Sequence, residues 1–189
     1  MSQTALRPMT ADAFLAWDLD QPDARHELID GRPVAMTGAR RRHDRLVVNG
    51  LRELSGRLGG GCEAFTADIA VRIPNGNVRR PDLGVACGPQ EDELTYARAP
   101  RLVAEVLSAS TRAFDLARKL EEYRSIASLE YVLLVDPDAP EVILWSRDAA
   151  RGWEHRVIAG TAAVVDLPAL GLVLPLAELY RSVTFSAVS

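Results

Sequence analysis

Residues 101–135 read RLVAEVLSASTRAFDLARKLEEYRSIASLEYVLLV, and the architecture of the chain turns on them. Segments 101–107 and 131–135 are short, nearly continuous apolar runs, the pattern of strands buried on both faces. Between them Leu116, Leu120, Tyr123, Ile126 and Ala127 recur at helical spacing and define an arc of roughly 120°. Residues 113–127 are therefore expected to form a helix, with Ser110 and Thr111 as N-caps. Two ionisable residues break the pattern. Glu105 interrupts the first apolar run, where an isolated ionised carboxylate would cost on the order of several to tens of kcal/mol, so it needs a proton, a cation or a metal. Lys119 falls inside the apolar arc of the helix, whereas Arg118, Glu121 and Glu122 point away. From this geometry the lysine either snorkels to an edge or delivers its ammonium toward the sheet, where Glu105 lies.

Upstream, Pro81-Asp82 precedes the apolar residues Leu83 to Ala86. Proline cannot donate to a sheet ladder, so Pro81 marks a strand start or an edge and leaves Asp82 where a sheet opens to a cleft, although Pro-Asp is also a common turn dipeptide. Residues 63–73 and 78–87 read as strands around the turn Pro74-Asn75-Gly76-Asn77, and an acidic loop fills 89–99. Residues 43–58 form an amphipathic helix that stops at Gly59-Gly60-Gly61. Those glycines terminate a helix; a phosphate loop would need them before one, with Lys-Ser/Thr after. Asp30-Gly31 is a two-residue hairpin signal within 26–36, because both central positions of a type I′ turn take positive φ. A short helix is expected at 11–17.

Downstream, strands are expected at 142–146 and 153–159. The tail, with a helical piece near 176–180, is expected to cover one edge of the sheet. The fold class is α/β, bordering on α+β: a mixed central sheet flanked by helices. No repeat or linker divides the 189 residues, so one domain spans 1–189, with its core at about 26–160.

Hydrophobic residues at 48% and charged residues at 25% are the balance of a soluble globular protein. A net charge of −4 denies the whole molecule the positive field that draws a protein onto nucleic acid. Arg40, Arg41 and Arg42, and again Arg79 and Arg80, are local exceptions; each cluster either touches phosphates or is a solvated basic loop. The first residues lack a secretory pattern and no segment reaches the ~18 apolar residues of a membrane span, so a cytoplasmic protein is expected. Cys62 and Cys87 have no metal-ligand spacing and no framework of other cysteines, so neither a disulfide nor a zinc site is expected. Trp145, Trp153 and His155 fall in later strands, where packing accounts for them.

Two carboxylates and an inward lysine suit metal-assisted phosphodiester hydrolysis. Carboxylate oxygens favour Mg²⁺, which polarises a phosphate, while a lysine orients or helps deprotonate water and stabilises developing charge.

Pro81-Asp82, Glu105-Val106-Leu107-Ser108, then Asp115, Lys119 and Tyr123, then Glu130-Tyr131 and Val135-Asp136-Pro137 resemble the motif series of the bacterial Uma2 restriction endonuclease family. His26-Glu27-Leu28-Ile29-Asp30-Gly31 and His43 resemble that family's N-terminal pattern. The resemblance covers roughly residues 27–137 and implies the PD-(D/E)-x-K nuclease superfamily, with its restriction-endonuclease-like mixed sheet. The superfamily lysine lies two residues after the acid. That position here is Leu107, and Lys119 on the following helix takes its place, as in this family. Ala109, Ala127 and Val132 replace the family's usual proline, glycine and tryptophan, which touches packing more than chemistry.

The resemblance implies a Mg²⁺- or Mn²⁺-dependent endonuclease acting on DNA, with Asp82 and Glu105 binding metal and Lys119 assisting the attacking water. It adds Glu27 as a further acid of the site and His43 as a neighbour; by position alone Glu27 is equally an edge glutamate in solvent. Arg80 and His43 are the candidate substrate contacts. Symmetric cutting of two strands would favour a homodimer. The rival expectation is a nuclease-fold domain that binds or regulates without turnover, and a third is hydrolysis of a smaller phosphodiester.

Overall fold

The structure is a computed structural model that describes residues 8–107 and 114–185. Its centre is a six-stranded sheet built from β3 (Cys62–Thr66), β6 (Leu83–Cys87), β7 (Pro100–Val106), β8 (Tyr131–Val135), β9 (Glu141–Asp148) and β10 (Gly152–Ala159). The strand order is β10-β9-β8-β7-β6-β3. β7 and β8 pair in parallel and the other neighbours antiparallel, which makes the sheet mixed. The parallel pair needs a crossover, and α3 (Phe114–Arg124) supplies it. The expected caps Ser110 and Thr111 lie outside the described residues.

Alternation along β7 sends its side chains to two different cores. Leu102, Ala104 and Val106 join Leu46 and Leu54 of α2 (Arg41–Arg57) on one face. Val103 packs on the other face with Tyr123 and Ile126 from the α3 side. Glu105 shares the parity of Val103 and so faces α3. Helix α2 approaches β6 closely at Gly50, where a Cβ would sit 2.5 Å from Leu83 Cδ1, so a larger residue would force the Leu83 side chain or the helix to shift.

A smaller sheet flanks this body, ordered β2-β1-β5-β4 from β1 (His26–Ile29), β2 (Arg32–Ala35), β4 (Val71–Arg72) and β5 (Val78–Arg79). Asp30 and Gly31 turn the β1–β2 hairpin at φ 51° and 75°, as the type I′ reading requires. Helix α1 (Ala11–Leu19) caps on Thr10, whose Oγ accepts from Ala13 N at 3.2 Å. It covers a third core of Phe14, Leu15, Leu28, Ala70 and Val78.

Three expectations need correction. The two long strands at 63–73 and 78–87 are each broken, because the chain leaves the large sheet after Thr66, builds β4 and β5 in the small one, and returns at Leu83. Pro81, with no amide hydrogen, stands at that return. The tail covers a face, not an edge. Strands β11 (Val164–Leu167) and β12 (Leu172–Pro175) and helix α4 (Leu176–Leu179) bury Val165, Leu167, Leu172, Leu174, Leu176 and Leu179 in the α2 core. Asn49 of α2 fixes them, its Nδ2 donating to Leu179 O and Arg181 O at 2.9 Å each.

The third correction concerns the cysteines. Cys62 and Cys87 form a disulfide across 25 residues of chain. Antiparallel pairing of β3 with β6 sets them directly opposite each other, with Cα atoms 4.0 Å apart. Spacing rules look along the chain and miss a pair created by strand register. No helix among the described residues is long and apolar enough to cross a membrane.

Candidate active site

Asp82, immediately before β6, and Glu105, near the end of β7, come together because these strands are antiparallel. Leu83 pairs with Ala104, and extending that register one step sets Asp82 beside Glu105. Asp82 Oδ2 accepts from Val106 N at 2.7 Å and lies 3.1 Å from His43 Nε2. Helix α3 delivers two groups from the facing layer: Tyr123 Oη donates to Glu105 Oε1 at 2.6 Å, and Lys119 Nζ lies 3.4 Å from the same oxygen. Lys119 Nζ also lies 3.2 Å from Glu27 Oε1. The lysine is delivered inward, between two acids.

Glu27 is buried at 7% exposure. This corrects the solvent-edge alternative, because β1 lies inside the small sheet between β2 and β5. Its Oε1 accepts from Arg80 N at 3.1 Å and its Oε2 meets Arg79 NH1 at 2.9 Å. Arg79 is wholly buried and donates through Nε to Glu122 Oε2 at 2.5 Å. Glu122 Oε1 accepts from Asn77 Nδ2 at 2.7 Å and Arg118 Nε at 3.1 Å. A chain of charges thus runs from Asn77 and Arg118 through Glu122, Arg79, Glu27 and Lys119 to Glu105.

Electrostatics follow from that order. Burial, with the negative charges of Asp82 and Glu27, pushes the Glu105 carboxyl up to about 7, against Lys119 and Tyr123. Burial would lower the Lys119 ammonium, but Glu105 and Glu27 outweigh it and hold its pKa above the ordinary lysine value. Burial and the charge of Glu105 raise the Tyr123 phenol well above its usual range, so it remains a donor. The hydrogen bond to Asp82, opposed by burial, raises His43. At the other end, burial would raise Glu122, but Arg79, Asn77 and Arg118 more than offset it and lower it.

The structure therefore brings Asp82, Glu105, Lys119, Glu27 and His43 together and leaves Arg80 out. Arg80 is buried, with NH2 on Asp18 Oδ2 at 2.5 Å, Nε on His26 O at 3.0 Å and NH1 on Ala67 O and Asp68 O at 2.9 and 2.7 Å. Arg79 and Arg80 point to opposite sides of the small sheet, one toward α3 and one toward α1, so neither forms the basic surface read from their sequence. Glu122, placed on the outer side of the helix by its angle, is buried at 6% exposure because the small sheet wraps that flank of α3. Trp145 stacks on His155 with ring centroids 4.5 Å apart, and Trp153 Nε1 donates to Arg124 O, both packing roles as expected. Arg79, Glu122 and Asn77 were not legible as members of the site. Tyr123 had a signal, since it follows Lys119 by four residues and so shares its helix face.

Could this site hold a divalent cation? Asp82 Oδ1 and Glu105 Oε2 have no hydrogen-bond partner among the described residues. Two hard oxygen donors are what Mg²⁺, which keeps several waters, takes from a protein. The described residues contain no group of three or more His, Cys, Asp or Glu side chains poised around one ion. The donor set fits a cation held by two carboxylates and water rather than a closed cage.

The mixed sheet flanked by helices is a fold shared with a solved structure of similar size. A crystal structure from Anabaena variabilis, titled "a putative nuclease belonging to DUF820", superposes with a TM-score of 0.71 over 92% of this chain and 98% of that one, at 19% identity. Residues 11–177 match the Uma2 family model, described as "Putative restriction endonuclease", and the chain belongs to that family. Two uncharacterised Synechocystis proteins are similar in sequence. The protein slr1290 is 30% identical, with 94% of each chain covered, and sll1609 is 29% identical, with 84% of this chain and 92% of that one covered.

Proposed function

We propose that the protein is a Mg²⁺- or Mn²⁺-dependent endonuclease that hydrolyses phosphodiester bonds in DNA. The observation that carries this reading is the inward-facing, partly buried Lys119 ammonium set 3.4 Å from Glu105, whose strand neighbour Asp82 leaves one oxygen unused. Asp82 and Glu105 would hold the cation, which supplies Lewis acidity at the phosphate and a more acidic bound water.

The chain's own groups do the rest. Lys119 stays protonated between Glu27 and Glu105 and places positive charge where a phosphorane would gather negative charge. Glu27, held by Arg79, anchors the ammonium. Tyr123 fixes the Glu105 carboxylate so that Oε2 faces outward for a ligand. His43 and Val106 N restrict Asp82 to one rotamer, which leaves Oδ1 available.

A second reading, a nuclease-fold domain without turnover, draws support from one feature: Lys119 and Tyr123 already satisfy Glu105 Oε1 in the absence of a cation. The two readings part on metal. The test is incubation of purified protein with supercoiled and linear DNA in Mg²⁺ or Mn²⁺, with EDTA controls and folded Asp82→Ala, Glu105→Gln and Lys119→Ala variants. Metal-dependent cutting by wild type that all three variants lose supports the enzyme. No cutting by folded wild type on DNA or RNA, with no Mn²⁺-induced rise in melting temperature, favours the inert domain.

A further inference from the structure

A recess of about 490 Å³ borders the site, lined among others by Arg40, Arg41, Arg42, His43, Leu107 and Asp138. Arg42 NH1 is tied to Asp138 at 2.6 Å. Arg40 and Arg41 are exposed and engage no ion pair among the described residues. In a protein of net charge −4, three guanidinium groups against one carboxylate make a local reversal of sign.

These arginines also stand where helix physics disfavours them. Arg40 is the N-cap of α2 and makes no side-chain capping bond, and Arg41 and Arg42 open the helix. The first amides of a helix carry partial positive charge, which favours acids or short polar caps there and disfavours cations. Asp44 is the one acid in that turn. Asp138 compensates Arg42, but Arg40 and Arg41 have no such partner among the described residues, and a local rule broken this way points to something outside the chain. An anion would meet both the free guanidinium groups and the uncapped amides. His43 links the recess to the chemistry, since it lines the cavity and its Nε2 lies 3.1 Å from Asp82.

We propose that this recess is a phosphate subsite, in which Arg40 and Arg41 hold a backbone phosphate of a polynucleotide next to the phosphodiester presented to Asp82 and Glu105. The volume suits a nucleotide-sized group, within the range of small-ligand pockets, so the contact is with one strand near the cut. Arg42, held by Asp138, shapes the wall. The polynucleotide identity rests on the nuclease reading; the anion subsite rests on the recess itself.

The test is fluorescence anisotropy with labelled single- and double-stranded DNA oligonucleotides, in EDTA, over a series of NaCl concentrations. Wild type is compared with Arg40→Ala/Arg41→Ala and with Arg151→Ala, on the remote turn between β9 and β10. Each phosphate contact contributes roughly 0.7–0.9 to the slope of log K against log salt. The double variant is expected to bind about tenfold or more weakly at low salt, with a slope shallower by roughly 1.5, while Arg151→Ala matches wild type. Its melting temperature should equal or exceed that of wild type, because cations leave a positive helix end. Unchanged affinity and slope in the double variant, no binding by wild type, or equal competition by inorganic phosphate at matched phosphate concentration would overturn the proposal. DNA binding lost in the double variant, with no cutting by wild type in Mn²⁺, keeps the subsite and sinks the nuclease. Cutting with an unchanged KM in the double variant does the reverse.

Discussion

The charged network divides into two ends that share Glu27 and Lys119 but differ in how completely their carboxylates are satisfied. At the inner end, Arg79, Glu122, Asn77 and Arg118 bind one another and both Glu122 oxygens are occupied, although Arg79 Nη2 is buried without a partner. At the outer end, Asp82 and Glu105 each keep one oxygen without a partner, and His43 Nδ1 is buried without one. A carboxylate with both oxygens bonded is held by the fold, whereas one that keeps an oxygen open retains acceptor capacity for a ligand. The contrast separates Glu122, a carboxylate saturated by the fold on the α3–small-sheet side, from Asp82 and Glu105, which keep an open oxygen on the β6–β7 side where we propose the chemistry.

Breaking the outer end should give the largest effect. Glu105→Gln or Lys119→Ala should reduce DNA cleavage by about 10²–10³-fold or more while leaving a cooperative melt, read by single-turnover assays. Breaking the inner end should reverse the pattern. Arg79→Met leaves Glu27 and Glu122 without their shared cation and should cost about 3–5 kcal/mol in urea unfolding. Pairing it with Glu122→Gln should recover part of that loss, as a double-mutant cycle measures.

A third perturbation touches neither end. Cys62 and Cys87 pair at the far end of β3–β6 from the site, where Thr66 pairs with Leu83. Reduction of the disulfide should cost about 3 kcal/mol by loop entropy and lower the melting temperature without altering cleavage in conditions where the protein stays folded.

Titration sharpens the comparison with the smallest effects, because the ends shift in opposite directions. Glu122 is lowered, so its stabilisation is present above its ordinary value of 4.5 and is lost as the pH falls through the lower folded value. Glu105 is raised, so its contribution is complete below 4.5 and is lost as the pH rises through about 7. His43, also raised, adds a loss of the same sign above 6.5. Melting temperature of the metal-free protein should therefore fall as the pH rises from about 4.5 to about 7, with His43 extending the fall above 6.5. Glu105→Gln should flatten that fall, and Glu122→Gln should flatten the acid limb instead.

How far this arrangement was legible beforehand depended on whether a residue's partner lay within one element. The helical arc of α3 placed Lys119 inward, and the apolar run of β7 demanded a partner for Glu105, because both signals are local periodicities. Arg79 and Arg80 looked like a basic surface since nothing in their neighbourhood shows that β5 lies between β1 and β4. Cys62 and Cys87 were misread for the same reason: strand register, a non-local property, set them opposite. Glu122 failed because a helical angle reports direction but not what packs there. His43 and Glu27 entered through family resemblance, and only the fold shows why each is held.

The most direct measurement is calorimetric titration of Mn²⁺ into metal-free wild type, Asp82→Asn and Glu122→Gln. The account predicts a binding isotherm for wild type that Asp82→Asn loses and Glu122→Gln retains. Absence of binding in wild type, or binding untouched by Asp82→Asn, would contradict the division of the network into a structural end and a chemical one.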